Sequence, residues 1–252
     1  MHTIFKRYIR SGLIVQDKGD KYNAIDSCFL TCNYYYQSYV AGVDQKGVLN
    51  KCYEFLINGK VVRYPHNESF DVESRIWNDH RTVSRDNAMG LLCVLTELKD
   101  KKAARIIAKD ILSRKSFFQN IRNVKGEKNT PDYCIAEWAI VLRGAFPSKW
   151  MYPVFAVLDC LMVLNSVVYV LHCRYDKKYN SPLFHMISQV LCITRNFPTL
   201  PGRIAKWILF SWTPHSPGFS HENALVSQIM EYSRMDYDPP VYKIVEKLCD
   251  QK

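Results

Sequence analysis

Acidic residues are in short supply in this chain of 252 residues, with 24 Asp and Glu against 34 Lys and Arg and a formal charge of +10 at pH 7. That balance suits an anionic partner. Chemical signatures are missing as well. None of the nine cysteines forms a C-x-x-C, and there is no H-E-x-x-H and no Cys/His cluster at ligand spacing, so no metal site is expected. G-x-S-x-G, the phosphate-binding loop and the dinucleotide fingerprint are absent too, which disfavours serine hydrolases and nucleotide-driven enzymes and leaves no cofactor expected. No fixed-period repeat supports a regular solenoid. The first twenty residues contain bases but no long apolar core or small-residue cleavage site, so no signal peptide is expected. With an odd number of cysteines, most inside apolar runs, a reduced cytoplasmic protein fits best. Asn67-Glu-Ser69 is then an idle sequon.

What is present reads as one globular domain, residues 1–252: 48% of the residues are hydrophobic and 23% charged. The expected fold is mainly α, built of antiparallel helical hairpins with one small β-hairpin near residues 55–64. Ile25, Phe29, Cys32, Tyr36 and Tyr39 recur at steps of three and four, predicting a helix from Asp20 that ends at Gly42. Asn58-Gly59 between apolar and β-branched residues predicts the hairpin, because both turn positions need positive φ. Further helices are expected at 85–98, 101–113, 132–144, 153–174, 182–195, 201–212, 221–235 and 239–250, with Pro153, Pro182, Pro201 and Pro239 near their starts. Short connections make neighbours antiparallel, giving a partial ring or stack of α-hairpins.

The run from Pro153 to Cys173 has the ~20 apolar residues that span a bilayer. Asp159, Asn165 and His172 argue against that, since an Asp near the centre of a membrane helix costs about 2.5–3.5 kcal/mol on insertion scales. The expectation is a soluble central helix walled by its neighbours on all sides, with Asp159 turned to a polar cavity or an Arg.

Residues 63–92 carry the densest mixture of chemistry. Arg63, His66, Trp77, Asp79, His80, Arg81, Arg85, Asp86 and Asn87 run from the end of the hairpin into the first turn of a helix whose N-cap is Ser84. Two readings fit. Either Ser84 is a plain N-cap with Asp86 complementing the helix dipole, or the cluster lines a cleft that offers acids, a tunable imidazole and anion-binding guanidiniums. Trp77, among polar neighbours, is expected to be exposed; most other aromatics are expected in the core.

Val-Arg-Tyr-Pro-His66, then Trp77, then Ser84-Arg-Asp-Asn87 opening a helix resembles a pattern in uncharacterised bacterial and phage helical proteins, where His-Pro and Ser-Arg-Asp-Gln are commoner. Gly19-Asp20 and Arg143-Gly144 after Trp138 are similar to the same group. The match covers scattered short motifs and implies no activity. By architecture alone the chain is similar to α/α-toroid glycosidases and polysaccharide lyases, and fold does not give function. A full toroid has twelve helices against about nine expected here, so this chain would be a truncated or open version.

Two functions follow as expectations. The first is a carbohydrate-active hydrolase or lyase with Asp79, Asp86 and His80 as acid/base groups. Trp77 would stack on sugar, and Arg63, His66, Arg81, Arg85 and Asn87 would bind substrate. The second is a non-catalytic protein that engages nucleic acid or another anionic partner through residues 99–128. There, ten Lys/Arg face three acids, a balance of +7. A solvated helix face would show the same charge pattern. Membrane association is not expected.

Overall fold

The computed structural model describes residues 7–10, 12–17, 22–23, 27–40, 42, 44–66, 83, 85–113, 135–175 and 180–212. At 7–10, 15–17, 22–23, 85–86, 169, 172–175, 180–187 and 210–212 it describes the backbone alone. Within these residues the fold is mainly α, with two small antiparallel sheets.

The chain opens with a three-stranded meander, β1 (Arg7–Arg10), β2 (Leu13–Asp17) and β3 (Tyr22–Asn23), in the order β1-β2-β3. Gly12, at φ +79°, turns the first hairpin, and Leu13 and Ile14 are wholly buried. The first helix, α1, therefore begins at Ser27 and runs to Val40. The expected start at Asp20 was too early, because Tyr22 and Asn23 pair with Asp17 and Gln16. Gly42 follows α1 at φ +69°, the left-handed residue that ends it.

A 3-10 helix, Lys46–Phe55, leads into the expected hairpin of β4 (Leu56–Ile57) and β5 (Lys60–Val61). Asn58 and Gly59 have φ of 52° and 74°, the two left-handed residues that Asn-Gly supplies.

Six more helices follow: α2 (Arg85–Glu97), α3 (Lys101–Ser113), α4 (Ile135–Ala145), α5 (Tyr152–Tyr175), α6 (Asn180–Asn196) and α7 (Leu200–Trp212). Sequential helices pack on one another, across the short connections from α4 to α7 and between α2 and α3, and also across the long ones that precede α2 and α4. The hub is α2, in which every residue from Asn87 to Leu95 is buried and which touches α1, α3, α4 and α6. Its junction with α3 is three residues long. Lys99 takes the left-handed conformation at φ 65°, the Asp100 N–H donates to Leu95 O, and the Asp100 carboxylate accepts the Ala103 N–H at 3.0 Å as the cap of α3.

The helix at 153–174 departs from expectation. It was to be central and enclosed, yet most of the apolar stretch Lys149–Val168 is unburied. One side, with Asp159, Met162, Ser166 and Val170, is buried, and α5 packs mainly on α7 and α4. The opposite side faces outward, so its apolarity does not reflect complete enclosure. The expected orientation of Asp159 toward an Arg is found, as described below. Helices expected at 221–235 and 239–250 lie outside the described residues.

Candidate functional site

The basic segment opens on α3. Ala103, Ala104, Ile107, Ala108 and Ile111 form its buried stripe, so the 3.6-residue period turns Lys101, Lys102, Arg105 and Lys109 to solvent. Of the segment's three acids, the two within the described residues are placed differently. Asp100 is engaged, capping α3 and accepting the Tyr53 hydroxyl at 3.0 Å, and Asp110 is half-buried. The exposed face is therefore dominated by cations. From Lys101 to Lys109 it covers about 12 Å of helix. The rest of the basic segment, 114–128, lies outside the described residues.

A cleft of about 410 Å³ adjoins this helix, lined by Leu95, Thr96, Lys99, Lys101, Ala104, Arg143, Gly144, Pro147, Asn196 and Phe197. Its floor is a close approach of α3 and α4. A Cβ placed on Gly144 would stand 3.0 Å from the Ala108 Cβ, so small residues on both helices let them meet.

Two ion pairs flank the cleft. On α4, Arg143 Nη2 donates to both carboxylate oxygens of Asp159 on α5 at 2.8 Å. Both side chains are buried, and the guanidinium lies over the rings of Phe155, at 4.8 Å, and Phe197, at 5.3 Å. Thr199, just before α7, donates its hydroxyl to Asp159 Oδ2 at 2.7 Å and accepts the Gly202 N–H at 3.2 Å. Arg143 is thus neutralised, and its pair with Asp159 joins α4 to α5 and, through Thr199, to the start of α7.

The second pair joins Glu97 of α2 to Arg195 of α6 at 3.2 Å, with Asn196 donating to Glu97 at 3.0 Å. Burial pushes the Glu97 carboxyl up, but hydrogen bonds from Arg195 and Asn196 and the nearby charges of Arg195 and Lys99 outweigh it and hold the group below its ordinary range. Lys99 Nζ donates to Asn196 Oδ1, which leads the ammonium to the cleft. Arg195 also stacks on Tyr39, with its guanidinium 5.2 Å from the ring centre. Lys99 and Lys101 are the exposed cations at the cleft, while the nearby carboxylates of Asp159 and Glu97 are engaged by arginines.

No protein-family model, curated protein or solved structure matches this chain. Function must therefore be read from the residues alone.

Of the residues singled out between 63 and 92, the structure brings Arg63 and Asn87 together around the start of α1. The Cys28 N–H donates to Arg63 O at 3.1 Å, the Phe29 N–H to Asn87 Oδ1 at 2.8 Å, and Cys28 Sγ to Asn87 O at 3.3 Å. Asn87 is wholly buried and fastens α1 to α2. His66 pairs with Glu54 at 3.0 Å and meets the Tyr64 ring edge-on at 5.4 Å. Trp77, Asp79, His80, Arg81 and Ser84 lie outside the described residues, as do the side chains of Arg85 and Asp86.

Five of the six cysteines with described side chains are buried, as apolar neighbours predict, and Cys160 is exposed. Burial raises the Cys32 and Cys52 thiols well above their ordinary values. A hydrogen bond with Cys192, aided by burial, does the same for Cys93. Such thiols stay protonated and are poor nucleophiles.

Proposed function

We propose that this protein binds an anionic polymer, with nucleic acid the leading class, along the exposed face of α3 and over the adjoining cleft. The observation that supports this is the outward row of Lys101, Lys102, Arg105 and Lys109 beside a cleft edged by Lys99, with Asp100 capping α3 and Glu97 and Asp159 paired with arginines. Each cation placed on a phosphate releases condensed counterions, so a row of four gives affinity without a sequence code. The ~12 Å of helix between Lys101 and Lys109 is equal to the duplex-axis length over which one strand presents three to four phosphates, at ~3.4 Å of axis each. Base contacts would specify sequence, and α3 offers only the half-exposed Ile106 between its cations. Binding is therefore expected to be weakly selective among sequences.

Filter retention of DNA and RNA at two salt concentrations tests this reading, run beside reducing-sugar and lyase-absorbance screens on mixed polysaccharides. Retention at low salt that falls at high salt supports it. The competing reading, polysaccharide cleavage by Asp79 and Asp86, requires product release in the second screen and no salt-sensitive retention in the first.

A further inference from the structure

We propose that the outward side of α5 is the contact surface between two copies of this chain. The exposed apolar residues Val154, Val157, Leu161, Leu164, Val168 and Leu171 follow one another at alternating steps of three and four. Trp150, 92% exposed, continues the pattern one step earlier. Alternation of three and four is a seven-residue repeat, the spacing that keeps one seam of a helix against a facing helix over several turns.

Nothing along that seam needs water. Between Tyr152 and Leu171 the only charged residue is Asp159, which points the other way and is held by Arg143. The α5 seam carries no charge of its own, which lets two chains of +10 approach along it, while the α7 face beside it includes the exposed cation Arg203. The packed neighbour α7 adds exposed Leu200, Ile204 and Trp207, again at steps of four and three. Together the two helices leave on the order of 1,000 Å² of side-chain surface, against ~800 Å² per partner in a standard stable interface and beyond the few hundred Å² a monomer usually exposes in one patch.

A second copy suits this surface better than a bilayer. After Leu161 the exposed apolar side of α5 narrows to a stripe at the seam positions, the width that one facing helix covers, whereas a side turned to lipid would stay broad along the helix. A facing helix of the same chain supplies the same repeat, and a two-fold axis closes the assembly at two copies.

The test is the mass of the full chain in detergent-free buffer at micromolar concentration, by sedimentation equilibrium. The expected result is twice 29.4 kDa. Val157→Glu and Leu164→Glu, at exposed positions where the core is untouched, should weaken self-association ~100-fold by setting like charges across the seam, with helical circular dichroism retained. Ile106→Glu, exposed on α3 away from the seam, should leave the doubled mass unchanged. A wild-type chain that is monomeric would overturn the proposal whatever the variants do. A Leu164→Glu chain that keeps the doubled mass would overturn it too, as would a monomer that floats with anionic vesicles.

Discussion

Arg143 and Asp159 meet inside the fold at 2.8 Å, one guanidinium nitrogen reaching both carboxylate oxygens, with Phe155 and Phe197 against the guanidinium and Thr199 on the acid. Because both groups are buried, removing either one strands the other in a medium that solvates charge poorly. Asp159→Ala and Arg143→Ala should each lower stability by about 3–5 kcal/mol in urea denaturation. The double change Arg143→Ala with Asp159→Ala should cost clearly less than the two single changes added together, because no orphan charge remains. Additive costs in that cycle would mean that the pair is not coupled.

Glu97 predicts an acid limb in the stability profile. Its carboxyl is held below its ordinary value of 4.5 in the folded chain. Lowered folded affinity for protons means that the stabilisation is present above the unfolded value and is lost as pH falls through the folded one. Thermal denaturation followed below about pH 4.5 should show a steeper decline for wild type than for Glu97→Gln. Parallel profiles would remove Glu97 from that limb.

Asn87 separates packing from ligand binding at the mouth of α2. Its buried carbonyl accepts the Phe29 N–H at 2.8 Å, so Asn87→Ala withdraws an acceptor inside the core and should cost about 1–3 kcal/mol in chemical denaturation. Asn87→Asp, which keeps an acceptor, tests whether the contact or the neutral amide matters. A stability change under about 0.5 kcal/mol for Asn87→Ala, the range of uninvolved surface sites, would contradict the clasp.

Local signals proved legible where they were self-contained. The bounds of α3 follow from its alanine and isoleucine period, and the β4–β5 turn from Asn58-Gly59, because each depends on its own few residues. The strands β1 to β3 were missed because Tyr22 and Asn23 become a strand only by pairing with Asp17 and Gln16. The α5 seam was missed for a different reason. Its sequence is apolar on nearly every side, so periodicity cannot tell which side meets α7 and which is left outside.

The candidate site was half legible. The charge of residues 99–128 is plain in the sequence, as is an Asp159 in need of a partner. The cleft beside α3 is not, because Asn196 and Phe197 reach it from about a hundred residues away in the chain.

The central claim is that the cations of α3 hold an anionic polymer, and the salt dependence of binding measures it most directly. Fluorescence anisotropy of a labelled DNA duplex, titrated at several salt concentrations, yields the slope of log affinity against log salt. Its steepness counts the phosphates neutralised at ~0.9 per contact. A chain carrying Lys101→Gln, Lys102→Gln, Arg105→Gln and Lys109→Gln, all exposed and remote from the core, should fold as wild type and lose about three to four units of that slope. A wild type that binds no duplex or RNA at low salt, or a fourfold variant with an unchanged slope, would contradict the account.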